Sequence, residues 1–157
     1  MASPDPTSFQ ALKADSFGRI LLVEEAGARF VRRDLGATPW WLRLPAWYLA
    51  RREARALRHL DGMQRTPRLL RWNGRWLDRS YMAGVAMYQR PPRGDLQYFR
   101  QARRLLQKVH RHGIAHNDLA KEANWLVQDD GLPALIDFQL AVIGNPRSRW
   151  MRLLARE

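Results

Sequence analysis

Between residues 9 and 35, apolar and polar side chains alternate closely enough to predict three antiparallel strands, at 9–13, 19–24 and 29–35. Turn-forming stretches at Asp15-Ser16-Phe17-Gly18 and Glu25-Ala26-Gly27 separate them. The period then changes. After a loop or broken turn from Thr38 to Pro45, residues 46–60 read as a helix closed by Asp61-Gly62. Strand-like patterning returns at 67–72 and 74–82. Pro91-Pro92-Arg93-Gly94 is a linker, and Asp95 is placed to cap a second helix. Leu96, Phe99, Ala102, Leu105, Leu106 and Val109 form the predicted apolar face of that helix, which Gly113 ends. Two short strands at 124–127 and 132–138 follow, joined by a hairpin at Asp129-Asp130-Gly131. Residues 147–156 predict a basic helix.

The last hairpin brings chemistry into the picture. It would set Asn124 near Asp137, with Asp118 and Lys121 on the loop leading in. Two carboxylates, one carboxamide and one ammonium then converge on one point. A carboxylate with an amide oxygen suits Mg²⁺, a hard cation usually held together with waters and substrate phosphates. A second carboxylate, off the metal, is left to accept a proton. His110 and His116 add no metal centre, because no Cys and no third ligand stands at a suitable spacing.

The stretch from Gly113 to Ala141 resembles the catalytic core of the protein-kinase-like superfamily. His116-Asn117-Asp118-Leu119 stands where kinases have H-R-D-L, and Asp137-Phe138-Gln139 where they have D-F-G, 19 residues after Asp118. Residues 109–115 look like the helix end that delivers the catalytic loop. The resemblance implies an α+β kinase-like fold: an N-lobe over residues 1–83 with a small antiparallel sheet and one helix, and a minimal, truncated helical C-lobe over 84–157. It implies ATP and Mg²⁺, with Asp118 accepting the proton of a substrate hydroxyl, Lys121 on the γ-phosphate, and Asn124 and Asp137 on the metal. His116 is expected to pack in the core, with Leu57 beneath Phe138.

The third strand lies where kinases keep V-A-I-K, yet it holds no Lys. Residues two apart share a strand face. If Arg33 points into the cleft, Val31 occupies the small-residue slot above the adenine; if Arg32 did, Phe30 would block the base. Arg33 is therefore expected on the α- and β-phosphates. Glu53, 20 residues on, resembles the helix Glu that braces the strand-three cation; a solvated Glu paired with Arg one turn away is the alternative. Ser80-Tyr81-Met82-Ala83-Gly84 resembles a hinge, making Tyr81 and Met82 nucleotide contacts. Arg79 then stands at the back of the pocket, which calls for Asp78 or another acid beside it, or a one-residue slip of alignment. The first turn holds one Gly and no G-x-G-x-x-G, so it is an abbreviated phosphate cover or a plain hairpin turn.

Departures from the pattern point to a divergent branch, closer to the RIO kinases and the lipopolysaccharide core sugar (Kdo and heptose) kinases. Asn117 replaces Arg, Asn124 follows Asp118 by six residues, and Gln139 replaces the Gly that frees φ in D-F-G. With no peptide platform after the D-F-Q motif, the expected acceptor is a small or lipid-linked sugar, or otherwise a protein hydroxyl. A pseudokinase that binds nucleotide or a partner without transfer is the alternative, as is a basic RNA- or membrane-binding module.

Composition narrows these options modestly. Hydrophobic content of 46% and seven Trp exclude disorder. No apolar run approaches a membrane span, and the first ten residues lack the features of a signal peptide. Zero Cys excludes disulfides and thiolate metal sites and fits a cytoplasmic protein. A net charge of +12, with Arg supplying 24 of the 27 basic residues, favours anionic partners such as nucleotide, an anionic acceptor, acidic membrane or RNA. A GC-rich genome would also raise the Arg count, and no RNA-binding motif is present. Trp40, Trp41, Trp47 and Tyr48, among Arg43, Arg51, Arg52 and Arg55, suit peripheral contact with an anionic membrane, or packing against the sheet.

Overall fold

The computed structural model describes residues 8–15 and 17–154; residues 1–7, Ser16 of the predicted first turn and 155–157 lie outside it. Strands β1 (Ser8–Asp15), β2 (Gly18–Glu25), β3 (Ala28–Asp34), β4 (Leu69–Trp72) and β5 (Trp76–Ser80) form one antiparallel sheet in the order β1-β2-β3-β5-β4. The β2–β3 connection takes only Ala26 and Gly27, at φ 50° and 74°, as a two-residue primed turn requires. Gly18 is needed for space: a Cβ there would come within 2.5 Å of the Asp34 carbonyl oxygen. That contact makes it a packing glycine between strands.

Helix α1 (Arg43–His59) begins three residues ahead of the expected start. Pro45 falls in its first turn, where the missing N–H has no helical acceptor to lose. Ala46, Ala50 and Ala54, spaced by four, are fully buried and bring α1 close against Leu35 and Leu77 of the sheet side. Farther along, Ala56, Leu57 and Leu60 enter a second cluster with Leu105, Val109, Trp125, Leu135 and Phe138. One helix therefore serves two cores.

The remainder is built on α2 (Leu96–Arg111), capped as expected by Asp95, whose carboxylate accepts from Tyr98 N at 2.9 Å. Its buried stripe differs from the predicted face. Tyr98, Leu105 and Val109 point inward, while Leu96 and Phe99 are 68% and 51% exposed. The stripe Tyr98, Ala102, Leu105, Val109 keeps helical spacing, and Tyr98 can be buried because its hydroxyl donates to Leu126 O at 3.3 Å. Burial pushes the Tyr98 phenol up to about 12.

Against α2 lie a three-stranded sheet of β6 (Val85–Ala86), β8 (Trp125–Val127) and β9 (Pro133–Leu135), in the order β6-β8-β9, and a pair, β7 (Ile114–Ala115) with β10 (Val142–Ile143). Gly113 permits the β7–β10 pair, since a Cβ there would sit 2.3 Å from Gly144 O. The predicted hairpin strands are shorter than expected: Asn124 ends a 3₁₀ turn, and Asp137 leaves the ladder at φ 66°. A short α3 (Arg149–Leu154) begins two residues after the predicted start, and residues 155 and 156 of that prediction lie outside the described chain.

Leu57 is fully buried where the second cluster meets α1. Leu57→Ala is expected to destabilise the fold by about 2–5 kcal/mol, as urea denaturation would measure.

Candidate active site

The residues singled out in the sequence lie between β7 and β10 and across the facing sheet. His116 follows β7 and is completely buried, its Nε2 3.0 Å from Ile136 O and its ring edge-on to Phe138 at 4.8 Å between centroids. Burial lowers its pKa, so the neutral ring donates from Nε2. Next comes Asn117 at φ 60°, a left-handed conformation that Asn tolerates, with its amide donating to Leu140 O at 3.3 Å. The residue standing in for Arg thus ties the loop bearing Asp118 to the D-F-Q turn.

Asp118 is held by two donors. Lys121 Nζ reaches its Oδ2 at 2.7 Å and Asn124 Nδ2 the same oxygen at 3.0 Å; Nδ2 also donates to the Asp118 carbonyl at 2.8 Å. Burial raises the carboxyl, but those hydrogen bonds and the Lys121 charge outweigh it, leaving the pKa below the ordinary value. Its hydrogen bond to Asp118 raises Lys121 in turn. The carboxylate is therefore ionised at neutral pH, and among the described residues its Oδ1 accepts no hydrogen bond. Both Asn124 bonds use the nitrogen, which leaves its amide oxygen for another partner.

Asp137 sits across the hairpin and lines a cleft of about 400 Å³. Its Oδ1 is buried without a partner, and Oδ2 is 3.5 Å from Gln139 Nε2. A buried, unpaired carboxylate oxygen on Asp137 and the Asn124 amide oxygen line one cleft, a donor set that fits a hard cation completed by phosphate and water. Among the described residues no group of three His, Cys, Asp or Glu could hold a metal alone.

Gln139 does not adopt positive φ; the turn takes that strain at Asp137, so the glycine of D-F-G is not required here. Its side chain instead bridges, accepting from Arg33 Nη1 at 2.9 Å while facing Asp137. The bridge places Arg33 on the cleft side of β3, together with Val31, which lines the cleft. Arg32 faces the other way, paired to Asp78 at 2.7 and 2.8 Å.

Glu53 is fully buried and meets two guanidinium groups. The closer is Arg79, in direct hydrogen bond; Arg33 Nε stands at 3.9 Å from the other carboxylate oxygen. So the acid that Arg79 requires is supplied by α1, with no slip of register. Burial and the Arg33 charge bring Arg79 down to about 10, opposed by Asp137, and it remains a cation at neutral pH. Sequence reasoning treated Arg79 as an oddity and Gln139 as a missing glycine. Arg79 was findable, since it pairs directly with Val31 across the β3–β5 ladder and must share its face. Ser80, Tyr81, Met82 and Gly84 line the same cleft, with Leu12 and Ile20 from the sheet and Leu126 and Ile136 from the segment after the Asp118 loop.

A sheet with one braced helix, a connecting hinge-like segment and a loop bearing Asp118 and Asp137 is a kinase-like arrangement. Residues 20–155 match the APH family of phosphotransferase enzymes. The chain belongs to that family. None of the curated proteins matches it. Membership of the APH family supports the protein-kinase-like superfamily and a kinase-like phosphotransferase in general, without singling out the RIO or sugar-kinase branch.

Three outcomes follow from these environments. Glu53→Gln strands two buried cations and is expected to cost about 3–5 kcal/mol. Arg79→Met leaves the carboxylate to Arg33, so its cost in the same denaturation experiment should be smaller. The lowered pKa values of His116 and His110, both from burial, mean that the unfolded chain takes up more protons as pH falls through the ordinary histidine range. Stability should therefore drop between pH 7 and pH 5, and a denaturation midpoint measured across that window checks it.

Proposed function

We propose that this chain transfers the γ-phosphoryl group of Mg²⁺–ATP to a hydroxyl of a small or lipid-linked anionic acceptor, with a lipopolysaccharide-type sugar as the class to try first. The observation that carries this reading is one cleft lined by Lys121, Asn124 and Asp137 together with the hinge-like residues Ser80, Tyr81, Met82 and Gly84, with Asp118 hydrogen-bonded to the first two. In this reading Tyr81, Met82 and Val31 hold the nucleotide base, and Arg33, braced by Glu53 and Gln139, its phosphates. Asn124 and Asp137 would hold Mg²⁺, which supplies charge neutralisation to the phosphates. Asp118, ionised and fixed through Oδ2, accepts the acceptor's proton at Oδ1. Lys121 sits beside it to meet the transferred phosphoryl group. Dependence on ATP puts the reaction in the cytoplasm, with a lipid-linked acceptor reached at the membrane face.

A pseudokinase is the second reading, favoured by one observation. The strand-three cation is a guanidinium held by Gln139, and the Glu that should brace it is engaged more closely by Arg79. A guanidinium fits the phosphate site differently from an ammonium.

Mg²⁺–ATP at 100 times its Kd is expected to stabilise the fold by about 2.7 kcal/mol in thermal-shift titrations, and Asp137→Ala to remove that gain. Unchanged melting of the wild-type chain defeats both readings. Asp118→Asn should keep nucleotide binding and abolish phosphoryl transfer. Turnover surviving in that variant would remove Asp118 as the base, while nucleotide binding without turnover across acceptors selects the pseudokinase.

A further inference from the structure

Away from the cleft, the outer face of α1 and the 3₁₀ turn ahead of it, Trp40–Leu42, carry a different chemistry. Trp40 and Leu44 are each 76% exposed, Trp41 63% and Tyr48 55%. Four large apolar side chains so exposed and so close together exceed the scattered hydrophobics of an ordinary surface. They do not pack against the sheet. Leu44, Tyr48, Arg51, Arg55 and Arg58 follow at helical spacing, so one stripe runs from apolar to cationic along the helix.

The charge on this stripe is unopposed. The helix's one acid, Glu53, is buried on the opposite side, and Arg43, Arg51, Arg55 and Arg58 have no acidic partner among the described residues. Arg51 stacks over Trp47 at 5.2 Å, which keeps cation and ring at one level. Beside the stripe, a groove of about 640 Å³ is lined by Trp40, Leu44 and Trp47 together with Arg43 and Arg75. Aromatic rings that favour the headgroup level, flanked by arginines that favour phosphate, complement an anionic interface in both polarity and charge.

We propose that this face docks the protein on an anionic lipid bilayer, the tryptophans entering the headgroup region and the α1 arginines meeting lipid phosphates. The surface is separate from the cleft, so docking stands or falls independently of phosphoryl transfer.

Sedimentation of the full chain with phosphatidylglycerol vesicles, against phosphatidylcholine vesicles, tests it. Binding to the anionic vesicles alone is expected, with a blue shift of Trp emission and loss of binding as salt rises. Arg51→Gln and Arg55→Gln should each weaken binding roughly fivefold. Trp40→Ser with Trp41→Ser should remove the blue shift and weaken binding on the order of tenfold. These exposed positions leave melting and the nucleotide-induced stabilisation unchanged, so loss of vesicle binding is not loss of fold or of the cleft. No binding to phosphatidylglycerol at low salt, equal binding to both vesicles, or variants that bind like the wild type would overturn the proposal. So would an RNA oligonucleotide that binds this face while the vesicles do not.

Discussion

A single buried carboxylate organises this molecule. Glu53 has no access to solvent, and a charge taken so far from water is tolerable only beside opposite charge. Arg79 and Arg33 supply it from neighbouring strands, so the ion cluster fixes where α1 lies on the sheet. From Arg33 the connection continues through Gln139 to Asp137. One polar chain thus links the sheet, its helix and the turn that carries Asp137.

The second constraint is the β7–β10 pair, which draws together the two ends of the segment bearing all the loop chemistry. Inside that closure, each local choice serves orientation. His116 is neutral and packed, Asn117 accepts a left-handed backbone and bonds Leu140, and Asn124 turns its nitrogen toward Asp118. Arg52 of α1 adds donors to the carbonyls of Leu140 and Ala141, so the helix grips the same turn from the other side.

Much of this was legible in the residues. Strand parity alone separated Arg33 from Arg32, because a pleated strand must send them to opposite faces. The loop spacing brought Asp118, Asn124 and Asp137 into one neighbourhood. What escaped depended on partners distant in sequence. Arg79 makes sense only once β5 is laid beside β3 and Glu53 is beneath both. Gln139 could be seen as lacking glycine's freedom, but its bridging role requires knowing that Arg33 ends within reach. On α2, apolar character favoured Phe99 as a core residue; Tyr98 took the inward slot because Leu126 offered its hydroxyl an acceptor. The α1 start was misplaced because Pro45 reads as a breaker unless it falls in a first turn.

The shared carboxylate also bears on how such a site can change over generations. Positions 33, 53 and 79 form one electrostatic unit, and residues in direct contact do not contribute additively. Losing Glu53 first strands two cations, and losing both arginines first strands the anion. A route that alters Arg79 while Arg33 still neutralises Glu53 avoids either extreme. The order of substitutions therefore matters as much as their identity, and a lineage that has acquired the second arginine is committed to it until the first can carry the charge alone.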